Sequence, residues 1–259
     1  MARPNRRFRT SRTILALLLR EMETTHGRAR FGYLWAVGEP VAGILLLTLI
    51  FSIAFTAPPV GTSFAYFYAS GFLPFMAYLE ISQRVSQAIR FSRPLLFYPG
   101  VTFLDALAAR FLMAATTQLV VFAVVLSLVV GLFSVDVILR WEALGLGLAM
   151  AAALGLGVGV LNCLLGELFP SWERVWAILT RPLFLLSTIV FQFEAVPPPW
   201  RGWLWWNPLV HVVGQVRIGL FATYDGAYVS PGYVLGLAAL ALAAGLLFLG
   251  RYHRDIVNG

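Results

Sequence analysis

The chain contains no lysine in its 259 residues, and all 19 basic side chains are arginine. Chemistry that depends on a primary amine is therefore excluded. A nucleotide-binding P-loop, a pyridoxal Schiff base and an S-x-x-K acyl-enzyme each need their own lysine. Cysteine is almost absent too. Cys163 stands alone inside an apolar run, so an intramolecular disulfide, a thiolate metal cluster and a C-x-x-C redox pair are all ruled out. The three histidines, His26, His211 and His253, have no second histidine at i+3 or i+4, and no metal site is expected. Neither G-x-S-x-G nor a paired Asp/Glu motif in a plausible aqueous site is present. Charge is scarce overall: 12% of residues are charged, against roughly 25% in soluble domains.

Apolar residues fill the space that charge leaves. They make up 59% of the chain, its mean hydropathy is +0.80, and they cluster in runs of about 20, the span of a bilayer core. The sequence is that of an integral membrane protein. Hydropathy predicts six spans at roughly 36–57, 64–89, 104–132, 143–166, 175–195 and 233–250, the second and fifth carrying the weakest apolar signal. Six spans put both termini on one side. Sixteen of the arginines fall in the N-tail, 84–110, 167–181 and the C-tail, leaving Arg140, Arg201 and Arg217 opposite, so the positive-inside rule predicts cytoplasmic termini.

Eight arginines lie in the first 35 residues, and the only apolar stretch there, Ile14 to Leu19, is cut off by Arg20, Glu21 and Glu23. It is too short for the apolar core of a secretory signal. At 100° per residue Ile14, Leu15, Leu18, Leu19 and Met22 share an arc of about 140°, with Leu17 outside it, which predicts an amphipathic helix in the membrane surface.

The segment from Val196 to Gly232 holds two short apolar pieces separated at Asn207-Pro208. Neither is long enough to cross. Two readings fit: half-helices that dip into the outer leaflet and return, or an interfacial belt built on Trp200, Trp203, Trp205 and Trp206. In the fourth span Gly147, Ala151, Gly155 and Gly159 repeat at i+4 and form a small-residue ridge for close helix packing.

Two segments on the arginine-rich side are suited to a soluble partner. One is the interface helix with its continuation Gly27 to Pro40. The other is 90–105, where Arg90 and Arg93 precede Pro94, the Tyr98-Pro99-Gly100 turn stops any helix, and Thr102 with Asp105 predicts a cap for the third span. A short apolar helix from Pro94 to Tyr98 would face the cytoplasm, as a knob for another protein's cleft or a loop on lipid headgroups. Ionisable groups near span ends include Glu39, Glu80, Arg84, Arg110, Glu167, Arg181 and Glu194. Of these, Glu39 before Pro40 and the Glu80/Arg84 pair at i,i+4 stand out.

The stretch LLLREMETTHGRARFGYLWAVGEP, residues 17 to 40, resembles the N-terminal signature of ABC-2 type permeases of the polysaccharide-export family, in particular the capsular polysaccharide permeases of KpsM type. Arg20, Glu21, Gly27, Arg28, Arg30, Gly32, Tyr33, Leu34, Trp35, Glu39 and Pro40 carry the match, and 98–112 and 207–233 agree with it. Positions 23 and 24 are Glu and Thr where relatives often have a basic residue, and Gln215 stands where an acid is common.

The resemblance implies one all-α transmembrane domain over 1–259: a cytoplasmic tail and interface helix (1–35), five spans (36–195), a re-entrant periplasmic segment (196–232), a sixth span (233–250) and a short tail (251–259). It also implies a homodimer in the bacterial inner membrane, with each subunit docking a separate cytoplasmic ABC ATPase. ATP and Mg would belong to that partner, and no cofactor, metal or catalytic residue to this chain. Arg20, Glu21, Arg28, Arg30, Arg93, Leu96, Tyr98 and Pro99 are the expected ATPase-facing residues. The expected cargo is a lipid-linked acidic polysaccharide, with a periplasmic adaptor or co-polymerase-type protein outside and no nucleic acid. A polymer requires a continuous path, and aromatic rings offer sugar faces an apolar platform. Tyr66, Phe67, Tyr68, Phe72, Trp203, Trp205 and Trp206 are the expected lining, with Arg84, Arg90 and Arg217 placed for carboxylate or phosphate groups. Competing readings are export of O-antigen, teichoic acid or a small molecule, and a membrane enzyme on lipid-linked sugar drawing on Glu194, Asp225 and His211. Docking of a periplasmic partner through 196–232 could coexist with transport.

Overall fold

The computed structural model describes residues 13–14, 16–18, 32–96 and 101–258. Thr13, Ile14, Ala16, Leu17 and Leu18 are helical, and the rest of the expected interface helix lies outside the described residues. From Gly32 onward the described residues form helices α1 (Gly32–Ala54), α2 (Phe64–Ser86), α3 (Ala88–Leu96), α4 (Phe103–Phe133), α5 (Trp141–Leu168), α6 (Trp172–Thr180), α7 (Leu183–Leu186), α8 (Trp200–Trp205), α9 (Pro208–Leu220) and α10 (Pro231–Asn258).

Among the described residues four helices are long and apolar enough to cross a membrane, within Trp35–Ala54, Phe103–Phe133, Trp141–Leu168 and Pro231–Tyr252. The second expected span is the 23-residue α2, whose serines and tyrosines keep it less apolar. It packs in the middle of the bundle, where lipid contact is not required of it. The fifth expected span, 175–195, is not one helix. It breaks into α6, the single turn α7 and an irregular stretch that ends in a 3-10 turn at Phe193–Ala195.

Small residues on α5 bring its neighbours close. A Cβ on Gly155 would meet Ile81 at 2.9 Å, and one on Gly159 would meet Val85 at 2.8 Å, both on α2. Gly157 faces α10, where a Cβ would sit 2.4 Å from the Ala238 carbonyl oxygen. Gly147 meets Val216 of α9 in the same way, at 2.7 Å. The predicted ridge therefore serves as a packing surface, with α2, α9 and α10 ranged around α5.

The local signals at helix ends hold. The Thr102 side chain accepts from Asp105 N while the Asp105 carboxylate accepts from Thr102 N at 2.9 Å, a full capping box for α4. Glu80 and Arg84 pair at 3.3 Å. Pro40, expected at the opening of the first span, instead lies inside α1, which starts upstream at Gly32.

Candidate functional site

At the end of the bundle that carries Arg84, Arg90 and Arg93, α3 links α2 to α4. Its Ala88, Ile89 and Ser92 are buried, and Arg110 of α4 lies over the Phe91 ring at 3.9 Å. Arg90, about half exposed, binds Glu173 of α6 at 2.5 Å and Glu167 at the end of α5 at 3.7 Å. One guanidinium thus joins three elements. The expected apolar helix from Pro94 to Tyr98 is corrected: the helix begins at Ala88, and Leu96 packs on the core with Phe103 and Phe111 because its side chain finds apolar neighbours on α4. Arg20, Glu21, Arg28, Arg30, Tyr98 and Pro99 lie outside the described residues.

Midway along the bundle, where Leu209 and Val212 pack with Phe75, Tyr78, Met150 and Leu154, Asn207 caps α9, its Oδ1 accepting from Leu209 N at 3.0 Å with Pro208 in the first turn. The break seen in the sequence is therefore a real helix boundary. α9 is buried along nearly its whole length, while α8 has no buried residue. Trp200, Trp203 and Trp206 are largely exposed, and Trp205 turns inward, donating to the Tyr228 carbonyl at 3.1 Å. The His211 ring is held on both nitrogens, Nε2 against the Trp205 carbonyl at 2.8 Å and Nδ1 accepting from Ser230 N at 3.2 Å. That pair fixes the neutral tautomer and occupies the imidazole that an enzymatic reading would need. Glu194 accepts from the Tyr224 hydroxyl at 3.3 Å, and Tyr224 meets Tyr228 at 3.1 Å. Burial, the leading cause, pushes both phenol pKa values up, so both remain neutral donors.

The expected channel residues divide into two groups. Tyr66, Phe67 and Tyr68 lie in the subunit core at 0–2% exposure. The Tyr66 hydroxyl donates to the Leu220 carbonyl at 3.0 Å, Phe67 lies under Arg217 at 4.3 Å and Tyr68 packs on Phe51 at 5.3 Å. Within the subunit the 66–68 turn is packed against α1, α4 and α9. Arg217 is enclosed in the same way. It is fully buried, and it donates to the carbonyls of Ile189 at 3.0 Å and Phe191 at 3.1 Å and to Ser70 Oγ at 3.4 Å. Gln215 donates to the Ala143 carbonyl at 3.3 Å, a bond that an ionised acid at that position could not make. Phe72 is half-buried against Gly43 and Phe184. Arg84, Arg90, Trp203 and Trp206 remain at the surface.

Sequence reasoning missed the part Arg217 plays in the broken fifth span. The available signal was a lone arginine in an apolar helix opposite a span containing Pro182, Ser187 and Thr188.

Among the described residues the chain is a bundle of long apolar helices with a capped, buried short helix before the last one. Residues 12–221 match the family described as ABC-2 type transporter, and the chain belongs to that family. Among individual proteins, the polysialic acid transport protein KpsM of Escherichia coli is 32% identical over 234 residues, 90% of this chain and 91% of its own length. The capsule polysaccharide export inner-membrane protein CtrC of Neisseria meningitidis serogroup B is 23% identical, covering 95% of this chain and 92% of its own length. BexB of Haemophilus influenzae, described in the same words, is 25% identical with the same coverage.

Proposed function

We propose that this chain is the permease subunit of an exporter that moves a lipid-linked capsular polysaccharide across the bacterial inner membrane. The observation that carries the reading is the 32% identity to a polysialic acid transport protein over 90% of the chain, joined by two capsule export proteins at similar coverage. The missing lysine supports a division of labour, because the ATPase motif has to reside in a separate subunit. Two copies of this chain with two ATPase subunits form the working unit, with ATP and Mg in the partner and both termini cytoplasmic. The interface helix and α3 face the ATPase. Arg90 then passes its motion to α5 and α6, and α8 and α9 form the re-entrant outer pair. A periplasmic adaptor meets the exposed Trp200, Trp203 and Trp206, which also offer the emerging polymer a flat apolar platform.

The test is ATPase activity of the chain reconstituted alone, then with the ATPase encoded beside it, with and without a lipid-linked capsular polymer. No activity alone, activity with the partner and modulation by the polymer are expected. Failure to purify with any ATPase would overturn the reading.

A further inference from the structure

The long helices α4, α5 and α10 offer a membrane unequal apolar lengths. After Arg110, α4 runs uncharged over 111–133, and α5 runs uncharged over 143–166, between Glu142 and Glu167. At 1.5 Å per residue these stretches are about 34 and 36 Å long. In α10 the uncharged stretch between Tyr233 and Arg251 is 234–250, about 25 Å long.

At the arginine-bearing end α5 and α10 finish level. A Cβ on Gly245 would meet Val160 at 2.8 Å, with Arg251 six residues further on and Glu167 seven. Val234, near the start of α10, packs with Met150 and Leu154, well inside α5. The whole shortfall therefore falls at the other end, where the apolar stretch of α10 stops about 10 Å before that of α5.

Two levels at that end carry residues that favour the boundary between hydrocarbon and headgroups. Trp141 is exposed at the far end of α5, and Leu132 and Phe133 extend the exposed apolar surface of α4 to its last turn. The nearer level is marked by Tyr233, whose hydroxyl donates to the Trp206 carbonyl at 2.8 Å and whose ring stacks on Trp205 at 5.2 Å. These contacts pin the end of α8 to the start of α10, and they leave Trp203 and Trp206 exposed. A flat hydrocarbon core of about 30 Å is too thick for α10 and too thin for α4 and α5. Phospholipid answers such a mismatch by changing its own thickness, at modest cost.

We propose that a phospholipid bilayer narrows to about 25 Å beside α10 and α8 while it keeps its full thickness along α4 and α5. The lipid surface is drawn in to the level of Tyr233, so the indoles of Trp203 and Trp206 stand at headgroup depth, within reach of water, instead of in hydrocarbon. The inference requires that α4, α5 and α10 span, and it stands whatever the cargo is.

The test uses the full chain carrying Cys163→Ala, reconstituted in dioleoyl-phosphatidylcholine vesicles. Single nitroxide labels at Trp141→Cys, Gly232→Cys and Ala239→Cys are read for depth by power saturation with oxygen and with a nickel chelate. Gly232 has open space around its Cβ position, and Ala239, exposed on the same stripe of α10, lies two turns further in. Labels at Trp141→Cys and Gly232→Cys should report the same headgroup depth, and the label at Ala239→Cys should report hydrocarbon. Leu132→Cys, exposed at the end of α4, repeats the upper measurement if Trp141→Cys fails to fold. A Gly232→Cys label about 10 Å deeper than the upper one would mean a flat bilayer set at the level of Trp141, and the proposal would fall. An upper label in bulk water, with Gly232→Cys at the headgroups, would mean a flat bilayer set at Tyr233, with the same result. A water-exposed label at Ala239→Cys would show that this face of α10 borders an aqueous path and not lipid, which also overturns the proposal.

Discussion

Arg217 shows what a broken helix demands inside a membrane protein. Carbonyls released at a break have no water at bilayer depth and need donors from the protein itself. Arg217 supplies two, to Ile189 and Phe191, and Asn207 Nδ2 supplies a third to Leu186 at 2.9 Å. A planar guanidinium reaches two carbonyls from one side chain, which an ammonium does not do with the same geometry. Arg217→Met should therefore lower stability by roughly 2–6 kcal/mol, from two carbonyls at ~1–3 each, and Arg217→Lys by less. Fluorescence-detected melting of the purified chain measures both, and an unchanged Arg217→Met would mean that the carbonyls have other donors. The glycines give a second comparison at this scale. Gly157→Val forces a side chain into the Ala238 carbonyl and should cost about 1–3 kcal/mol or more. Gly131 has open space around its Cβ position, and Gly131→Ala should be neutral or stabilising by up to ~1 kcal/mol. Similar melting of the two variants would refute the tight α5–α10 contact.

At the level of elements, α3 is short and amphipathic, and Arg90 couples it to α5 and α6. Because that guanidinium is half exposed, the pairs should add less than ~1 kcal/mol to stability. Under the proposed function their consequence is mechanical. Arg90→Glu should leave the melting temperature nearly unchanged yet reduce polymer-stimulated ATPase turnover in the reconstituted pair, and adding Glu173→Arg should restore part of it. Turnover that ignores the charge reversal would remove α3 from the coupling path. The segment also marks how far the sequence can be read. The Thr102/Asp105 box, the Glu80/Arg84 pair, the α5 ridge and the Asn207-Pro208 boundary were all legible because each is set by residues spaced no more than about one turn from the next. The start of α3 at Ala88, the broken fifth span and the burial of Tyr66, Phe67, Tyr68 and Arg217 were not. Hydropathy cannot tell a helix facing lipid from one facing protein, and the donors at the break in 175–195 come from Arg217 on α9 and from Asn207 at its cap, 21 to 28 positions away.

For the molecule as a whole, the arrangement in the membrane turns on α2. Its 23 residues extend about 34 Å at 1.5 Å per residue, enough to cross a hydrocarbon core of about 30 Å. Its low apolarity is accommodated because α1, α4, α5 and α9 cover it. Thr62 and Gln87, both exposed, flank its two ends. If α2 spans, they lie on opposite sides of the membrane, and the excess of arginine near Gln87 predicts, by the positive-inside rule, that this end faces the cytoplasm. The single native cysteine makes the experiment clean, because Cys163 is fully buried and can be replaced by alanine. In that background Thr62→Cys and Ala222→Cys should react with a membrane-impermeant maleimide on intact spheroplasts. Gln87→Cys and Arg251→Cys should react only after permeabilisation. Labelling of Thr62→Cys and Gln87→Cys from the same side would make α2 a helix that does not cross. Labelling of Arg251→Cys from outside would reverse the sixth span and move the tryptophans of α8 to the cytoplasm, away from any periplasmic partner.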